Sequence, residues 1–264
     1  MGANVEISIT GKRALVTGAN SGIGESIAAG LAAAGARVGV NYLVNPEAAE
    51  ALAAGIRRAG GEAMALQADV SDADQVGRMF AAVDQAWGGI DILVNNAGVD
   101  GPRALTWEAD AGAWERVLRI NLVGGFLCAR EALKRMVNQR SGVILNLTSV
   151  HEKIAWGGYG AYAASKAGLS MLTKTMAQEA APYGIRVLSL APGAIRTPIN
   201  RAVWSDETSL ADLLTKIPLG RMGEPDEIAR VVTFLVSDAA SYLTGSTVYA
   251  DGAMTDYPDF AHGG

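Results

Sequence analysis

The sequence predicts one α/β domain built on a doubly wound parallel sheet of about seven strands, with helices on both faces. Three observations carry this. Short, almost wholly apolar runs alternate with longer Ala-rich segments of helical period along the chain. Glycines recur where a strand hands over to a helix. The 264 residues, half of them hydrophobic, suit a single large core better than two small ones.

The elements follow in order. Residues 13–17 (Arg-Ala-Leu-Val-Thr) read as a first strand, 24–34 as a helix ended by Gly35, 37–42 as a second strand and 46–59 as a helix closed by Gly60-Gly61. Residues 63–68 are a third strand. Ser71, with Asp74 three residues on, reads as the N-cap of a helix reaching Trp87. Residues 90–94 are a fourth strand, 113–136 a long helix, 143–147 a fifth strand, 159–180 a helix and 186–190 a sixth strand. An irregular stretch over about 194–223 reads as a substrate lid. A helix over 224–236 and a strand over 246–250 complete the pattern. Right-handed crossovers then place ligands at the carboxyl ends of the strands. No linker, repeat or low-complexity tract divides the chain, so residues 1–264 are expected to form one unit.

Composition narrows the function classes. The net charge of −5 and the lack of a basic cluster argue against a nucleic-acid partner. No run approaches the roughly 18 apolar residues of a membrane helix. The first ten residues lack the apolar core of a signal peptide, so a soluble cytoplasmic protein is expected. His151 and His262 are the two histidines and are far apart, so no catalytic metal is expected. Cys128, the one cysteine, sits in an apolar run and reads as a small core residue.

The first strand–helix junction carries Gly18, Gly22 and Gly24 in the spacing G-x-x-x-G-x-G. Such a turn lets a pyrophosphate approach the backbone, and the helix start offers free N–H groups and the positive end of its dipole. Asn20, Ser21 and Ile23 fill the turn. The second strand ends Asn41-Tyr42-Leu43-Val44. An acid there would bind an adenosine ribose and repel a 2′-phosphate; a cation would favour the phosphate. Neither is present, so NAD and NADP both remain open. Asp69, after the third strand, fits an adenine contact and equally a helix-capping turn. Asn95, Asn96, Ala97 and Gly98, after the fourth strand, give a narrow path for a ribose and equally a plain turn.

Tyr162 and Lys166 lie four apart on a predicted helix and so share a face. A free phenol, with a pKa of about 10, is a poor base near neutrality. A neighbouring ammonium is expected to lower that value and make Tyr162 a general acid/base. Ser149, at the end of the preceding strand, is placed to hold a substrate oxygen beside the phenol. Asn121 stands within the long helix, where Asn is unfavourable without a special role. His151 and Trp156, between Ser149 and Tyr162, form a polar loop with an aromatic that suits a sugar, or else a solvated turn.

With these residues in place the chain resembles the classical short-chain dehydrogenases/reductases over nearly its full length. The matching set is the glycine turn 17–24, Asp69-Val70, Asn95 to Gly98, Asn121, Ser149, Tyr162 to Lys166, and Pro192-Gly193 with Thr197. The resemblance implies an NAD(P)-dependent oxidoreductase and a homotetramer. It implies that Lys166 also bonds the nicotinamide ribose and that Asn121 holds a relay water. Asp69 and Val70 would hold the adenine, Asn95 and Ala97 line the ribose path, and Ile195 and Thr197 contact the carboxamide. Within that family, residues 149–154, 192–195, 197–200 and 250–255, with Tyr257, Pro258 and Phe260, look like bacterial glucose 1-dehydrogenases. Leu43, Ala155 and Ala253 depart from that pattern, where Arg, Pro and Gly are usual. The implied reaction is oxidation of an aldose, D-glucose, to a lactone. A ketone or 3-oxoacyl reductase shares the same catalytic residues, and a non-catalytic nucleotide sensor is the reading from a different class.

Overall fold

A computed structural model describes residues 7–256. His262 and the tail residues Tyr257, Pro258 and Phe260 of the glucose-dehydrogenase resemblance lie outside them. Seven strands, β1 (Arg13–Val16), β2 (Arg37–Tyr42), β3 (Glu62–Gln67), β4 (Ile92–Asn95), β5 (Gly142–Leu147), β6 (Ile185–Pro192) and β7 (Thr247–Ala250), form one sheet. Their order is β3-β2-β1-β4-β5-β6-β7, and every pairing is parallel. The order reverses between β1 and β4, which opens a crevice at their carboxyl ends.

Side chains alternate along each strand, so the two faces build separate cores. Ala14 and Val16 join Ile27 and Leu31 of α1 (Gly22–Ala33) and Ile228, Val232 and Leu235 of α9 (Pro225–Val236). Leu15 points the other way. It packs with Phe80 of α3 (Ala73–Trp87), Cys128 and Met136 of α5 (Gly125–Gln139), and Met176 of α6 (Gly160–Ala180). Both layers are closed to the surface at their centres: Leu15, Ile27, Phe80 and Met136 are fully buried. Helix α2 (Pro46–Arg58) covers the edge nearest β3, with Pro46 in its first turn and Arg57 and Arg58 in its last, as its dipole favours.

Three local expectations change. The N-cap of α3 is Asp72, whose carboxylate accepts from the N–H groups of Asp74 and Gln75; Ser71 instead donates to Asp69. Asp outcompetes Ser because its charged oxygen spans two orphan donors. The long helix is α4 (Ala111–Leu118) and α5 joined through a π turn, Arg119–Gly124, that holds Asn121. The stretch 194–223 is not irregular throughout. It contains α7 (Arg201–Trp204) and α8 (Glu207–Leu214), neither of which buries a residue. Helices this short show too few periodic apolar positions to be read from sequence.

Candidate active site

The turn between β1 and α1 is held from both sides. Asn41, at the end of β2, is buried; its Oδ1 accepts from the Gly18 N–H and its Nδ2 donates to the Leu66 and Ala68 carbonyls. Just past β4, Asn96 donates to the Thr17 and Gly18 carbonyls, and the Thr17 hydroxyl accepts from the N–H groups of Asn96 and Ala97. Gly18 adopts φ +59°, and a Cβ at Gly24 would lie 2.3 Å from the Gly18 carbonyl oxygen. Only glycine permits that closeness. Ser21 precedes α1 without its side chain capping the helix, so the first-turn N–H groups of Gly22, Ile23 and Gly24 keep no intrahelical partner. This is a cradle for a phosphate. Asn20 donates to the Val44 and Asn45 carbonyls and ties the turn to the β2–α2 loop.

Asn41 therefore braces the turn with its amide, while Tyr42 is half-buried and Leu43 exposed beside it. Asp69 Oδ1 closes a local turn by accepting from the Ser71 N–H and hydroxyl, whereas the helix cap itself is Asp72. Val70 is buried. Asn95 bonds the Gly125 carbonyl and Asn146 Oδ1 and so joins β4, α5 and β5. At the other end of the crevice Ile195 pairs with Gly223, and Asn200 accepts from the Thr197 N–H and hydroxyl while donating to the Ile195 carbonyl. A Cβ on Gly22 would stand 3.6 Å from Thr197, so this segment, which follows Pro192 and Gly193, overhangs the phosphate cradle.

Helix α6 brings Tyr162 and Lys166 to the ends of β4 and β5. Lys166 is 5 % exposed, donates to the Leu147 carbonyl at 2.8 Å and lies 5.6 Å from the centre of the Tyr162 ring. A Cβ on Gly98 would stand 3.6 Å from Lys166 Nζ. Burial drives the lysine down to about 8. Burial also drives the Tyr162 phenol up to about 12, and the Ser149 hydroxyl is the neighbour that favours its ionised form. The expectation that Lys166 holds Tyr162 below its ordinary value is thus not met. Its ammonium is engaged with Leu147, and desolvation outweighs it. Tyr162 nevertheless keeps part of its surface open.

Asn121 is buried in the π turn. Its amide accepts from the Val99 N–H and donates to the Val99 carbonyl and the Ser165 hydroxyl. The side chain thus fixes the loop after β4, and the π geometry, common at functional sites, accounts for an Asn at this point. Across the cleft His151 stacks on Trp156 at 4.4 Å and Trp156 on Tyr159 at 3.9 Å, while Trp156 meets Tyr162 edge-on at 5.8 Å. The His151 Nδ1–H donates to the Ile154 carbonyl, and burial lowers its pKa, so the ring is neutral. Two residues escaped the sequence reading. Tyr159 belongs to the aromatic wall, and Asp100 is a half-buried acid beside it. A loop acid has no periodicity to mark it; its closeness to the Asn95–Gly98 turn was the available sign.

The family profile described as enoyl-(acyl carrier protein) reductase matches residues 18–255, which takes in the cradle and every catalytic candidate. The chain belongs to the short-chain dehydrogenase/reductase family. Similar members include 3beta-hydroxysteroid dehydrogenase 1 of Eggerthella lenta, 43 % identical over 97 % of this chain and 98 % of that one. The 3-oxoacyl-[acyl-carrier-protein] reductase FabG of Staphylococcus aureus is 44 % identical over 92 % of this chain and 98 % of its own. Among solved structures, a gluconate 5-dehydrogenase from Burkholderia cenocepacia in complex with NADP and tartrate superposes with a TM-score of 0.90. It is 37 % identical over 95 % of this chain and 97 % of that one. As a short-chain dehydrogenase/reductase the protein is an oxidoreductase acting between CH–OH and carbonyl groups with NAD(P). The free N–H groups at the start of α1, in the tight turn that Gly18 and Gly24 permit, fit the pyrophosphate of such a dinucleotide. Among the described residues no helix is long and apolar enough to cross a membrane.

Proposed function

We propose that this short-chain dehydrogenase/reductase interconverts a ring-borne secondary alcohol and its carbonyl form, with an aldose, D-glucose first, as the alcohol. The observation that carries the reading is the meeting of Ser149, Tyr162 and Lys166 beside a phosphate cradle and below an aromatic wall. The nicotinamide, when bound, exchanges the hydride. Gly18, Asn20, Ser21, Gly22, Ile23 and Gly24 would hold the pyrophosphate. Tyr42, Asp69 and Val70 would hold the adenosine end, and Asn95, Ala97, Gly98 and Lys166 the nicotinamide ribose. Pro192, Gly193, Ile195 and Thr197 would hold the carboxamide.

Ser149 holds the substrate oxygen and Tyr162 exchanges the proton with it. With its pKa at about 12 the phenol stays protonated at neutral pH, so reduction finds the proton in place. In oxidation it must release that proton, which the Ser149 hydroxyl favours. Lys166 passes the proton onward and Asn121 anchors the relay. The flat stack of His151, Trp156 and Tyr159 offers a face for a ring, and stretch 194–223 closes over it as a lid. A homotetramer in the cytoplasm is the assembly and setting that the family resemblance supports. NAD and NADP are both admitted, because the end of β2 carries neither a carboxylate nor a cation.

A reductase for open or cyclic ketones is the second reading, favoured by the likeness to the 3-oxoacyl reductase. The test follows absorbance of the reduced nicotinamide with NAD and NADP separately. The panel holds D-glucose, other aldoses, cyclic alcohols and ketones, and 3-oxoacyl thioesters. Turnover of an aldose supports the proposal. Activity confined to ketones or thioesters selects the second reading, and no turnover of any member overturns both.

A further inference from the structure

Asp100 stands in a cleft that it lines with Trp114, Tyr159, Gly160 and Ala161, against the first turn of the helix carrying Tyr162. Among the described residues no protein group donates a hydrogen bond to its carboxylate. Three nearby polar groups are engaged elsewhere: Asn121 with Val99, Asp110 with the Ala113 N–H, and His151 Nδ1 with Ile154. The segment holding Asp100 is fixed at both ends. Val99 is clasped by Asn121 through both backbone groups, and the Ala104 N–H donates to the Gly158 carbonyl at 2.9 Å. Two residues upstream, Gly98 packs against Lys166 Nζ.

The carboxylate is half-buried and has no protein donor, and the fixed loop holds it as an acceptor already in place for an incoming donor group. Burial accordingly raises the Asp100 carboxyl, opposed chiefly by the charge of Lys166. Through Tyr159 its cleft adjoins the aromatic wall that meets Tyr162, and its charge adds to the rise of the phenol.

We propose that Asp100 is a substrate-binding group that accepts hydrogen bonds from a hydroxyl next to the one oxidised, selecting polyhydroxylated rings over simple ring alcohols. The inference rests on the alcohol–carbonyl reading above and names the class of substrate within it. Hydroxyl donors relieve the unpaired carboxylate, whereas a ring bearing one hydroxyl leaves it unpaired. A site built to pair with a substrate hydroxyl discriminates strongly against the analogue that lacks it.

The test compares D-glucose with cyclohexanol at saturating cofactor in the wild type, Asp100→Ala and Asp100→Asn. Thermal melting and binding of reduced cofactor confirm that each variant is folded; the isosteric Asp100→Asn stands in if the alanine form is not. The expected result is a fall in kcat/KM for glucose of roughly ten- to a hundredfold, carried by KM. Cyclohexanol is expected to stay within about twofold, since it makes no bond to the carboxylate. An equal loss on both substrates overturns the inference, because Asp100 then acts on the catalytic groups themselves. So does an unchanged glucose KM, or a wild type that turns over cyclohexanol but not the sugar. A wild type inactive on every alcohol and ketone removes the underlying oxidoreductase reading, a result distinct from these.

Discussion

Tyr162 shows how burial and function pull on a single group. The phenol sits at about 12 and its lysine neighbour at about 8, each displaced toward its neutral form by desolvation. Replacing Tyr162 with Phe removes the proton-exchanging oxygen and keeps the ring against Trp156. Turnover should drop by about a hundredfold to ten-thousandfold while cofactor affinity holds, read by steady-state kinetics and by fluorescence titration. The same variant reports the resting charge. A difference spectrum, wild type minus Tyr162→Phe without cofactor, should show no phenolate band at pH 9. A band there would mean that Lys166 does hold the phenol ionised. The identities of Ser149, Tyr162 and Lys166 were legible in the sequence, because their spacing and strand-end placement need no three-dimensional detail. The sign of the tyrosine's displacement was not, since it depends on which acceptor the buried ammonium finds. Asn41 is a similar case: its strand-end position was clear, but not the inward turn of its amide. Ala253 adopts φ +70°, which explains why glycine is the more comfortable residue there.

Among the elements, the junction of β1 and α1 is the most tightly specified. A methyl group at Gly24 has nowhere to go between the Gly18 carbonyl at 2.3 Å and the Asn96 amide at 2.5 Å. Gly24→Ala should lower the melting temperature and weaken cofactor binding together, by calorimetry and titration, at a cost of about 1–3 kcal/mol. A variant that melts lower but binds normally would separate the turn from the cofactor. The strands could be read from their apolar runs, because a strand covered on both faces leaves little room for polar residues. Boundaries were less legible. Asp72 and Ser71 both have capping chemistry, and geometry alone chooses between them. The π turn around Asn121 leaves only an ill-placed Asn as its trace, and α7 and α8 lack a buried face to impose a pattern.

At the scale of the molecule, the parallel sheet is tied at the amino ends of two strands by a bidentate ion pair. Arg13, at the start of β1, bonds both oxygens of Asp91 at 2.8 Å, just before β4, and reaches Gln139 on α5. Burial alone would raise the Asp91 carboxyl, but Arg13 overcomes it and leaves the group below its ordinary 3.8. A carboxylate lowered on folding adds stability above its unfolded value, and that contribution is lost as pH falls through the folded one. Asp91→Asn should therefore melt below the wild type at neutral pH, and the gap should close as pH drops below about 4. A gap that stays constant to pH 2 would show that the pair's charge adds nothing. The parallel, doubly wound sheet with its ligand end at the strands' carboxyl termini followed from the strand–helix alternation; this clasp did not, because its partners are 78 residues apart in sequence.

Cys128 lies at the centre of the layer between α5 and the sheet, fully enclosed, and enclosure drives its thiol up to about 12. Its sulfur is therefore silent toward alkylating reagents while the domain is intact, since the reactive thiolate is scarce and out of reach. As the only thiol in the chain, it makes iodoacetamide uptake a one-site clock for global opening, with no label to be engineered. A dinucleotide that binds the native form should slow that clock in proportion to its saturation.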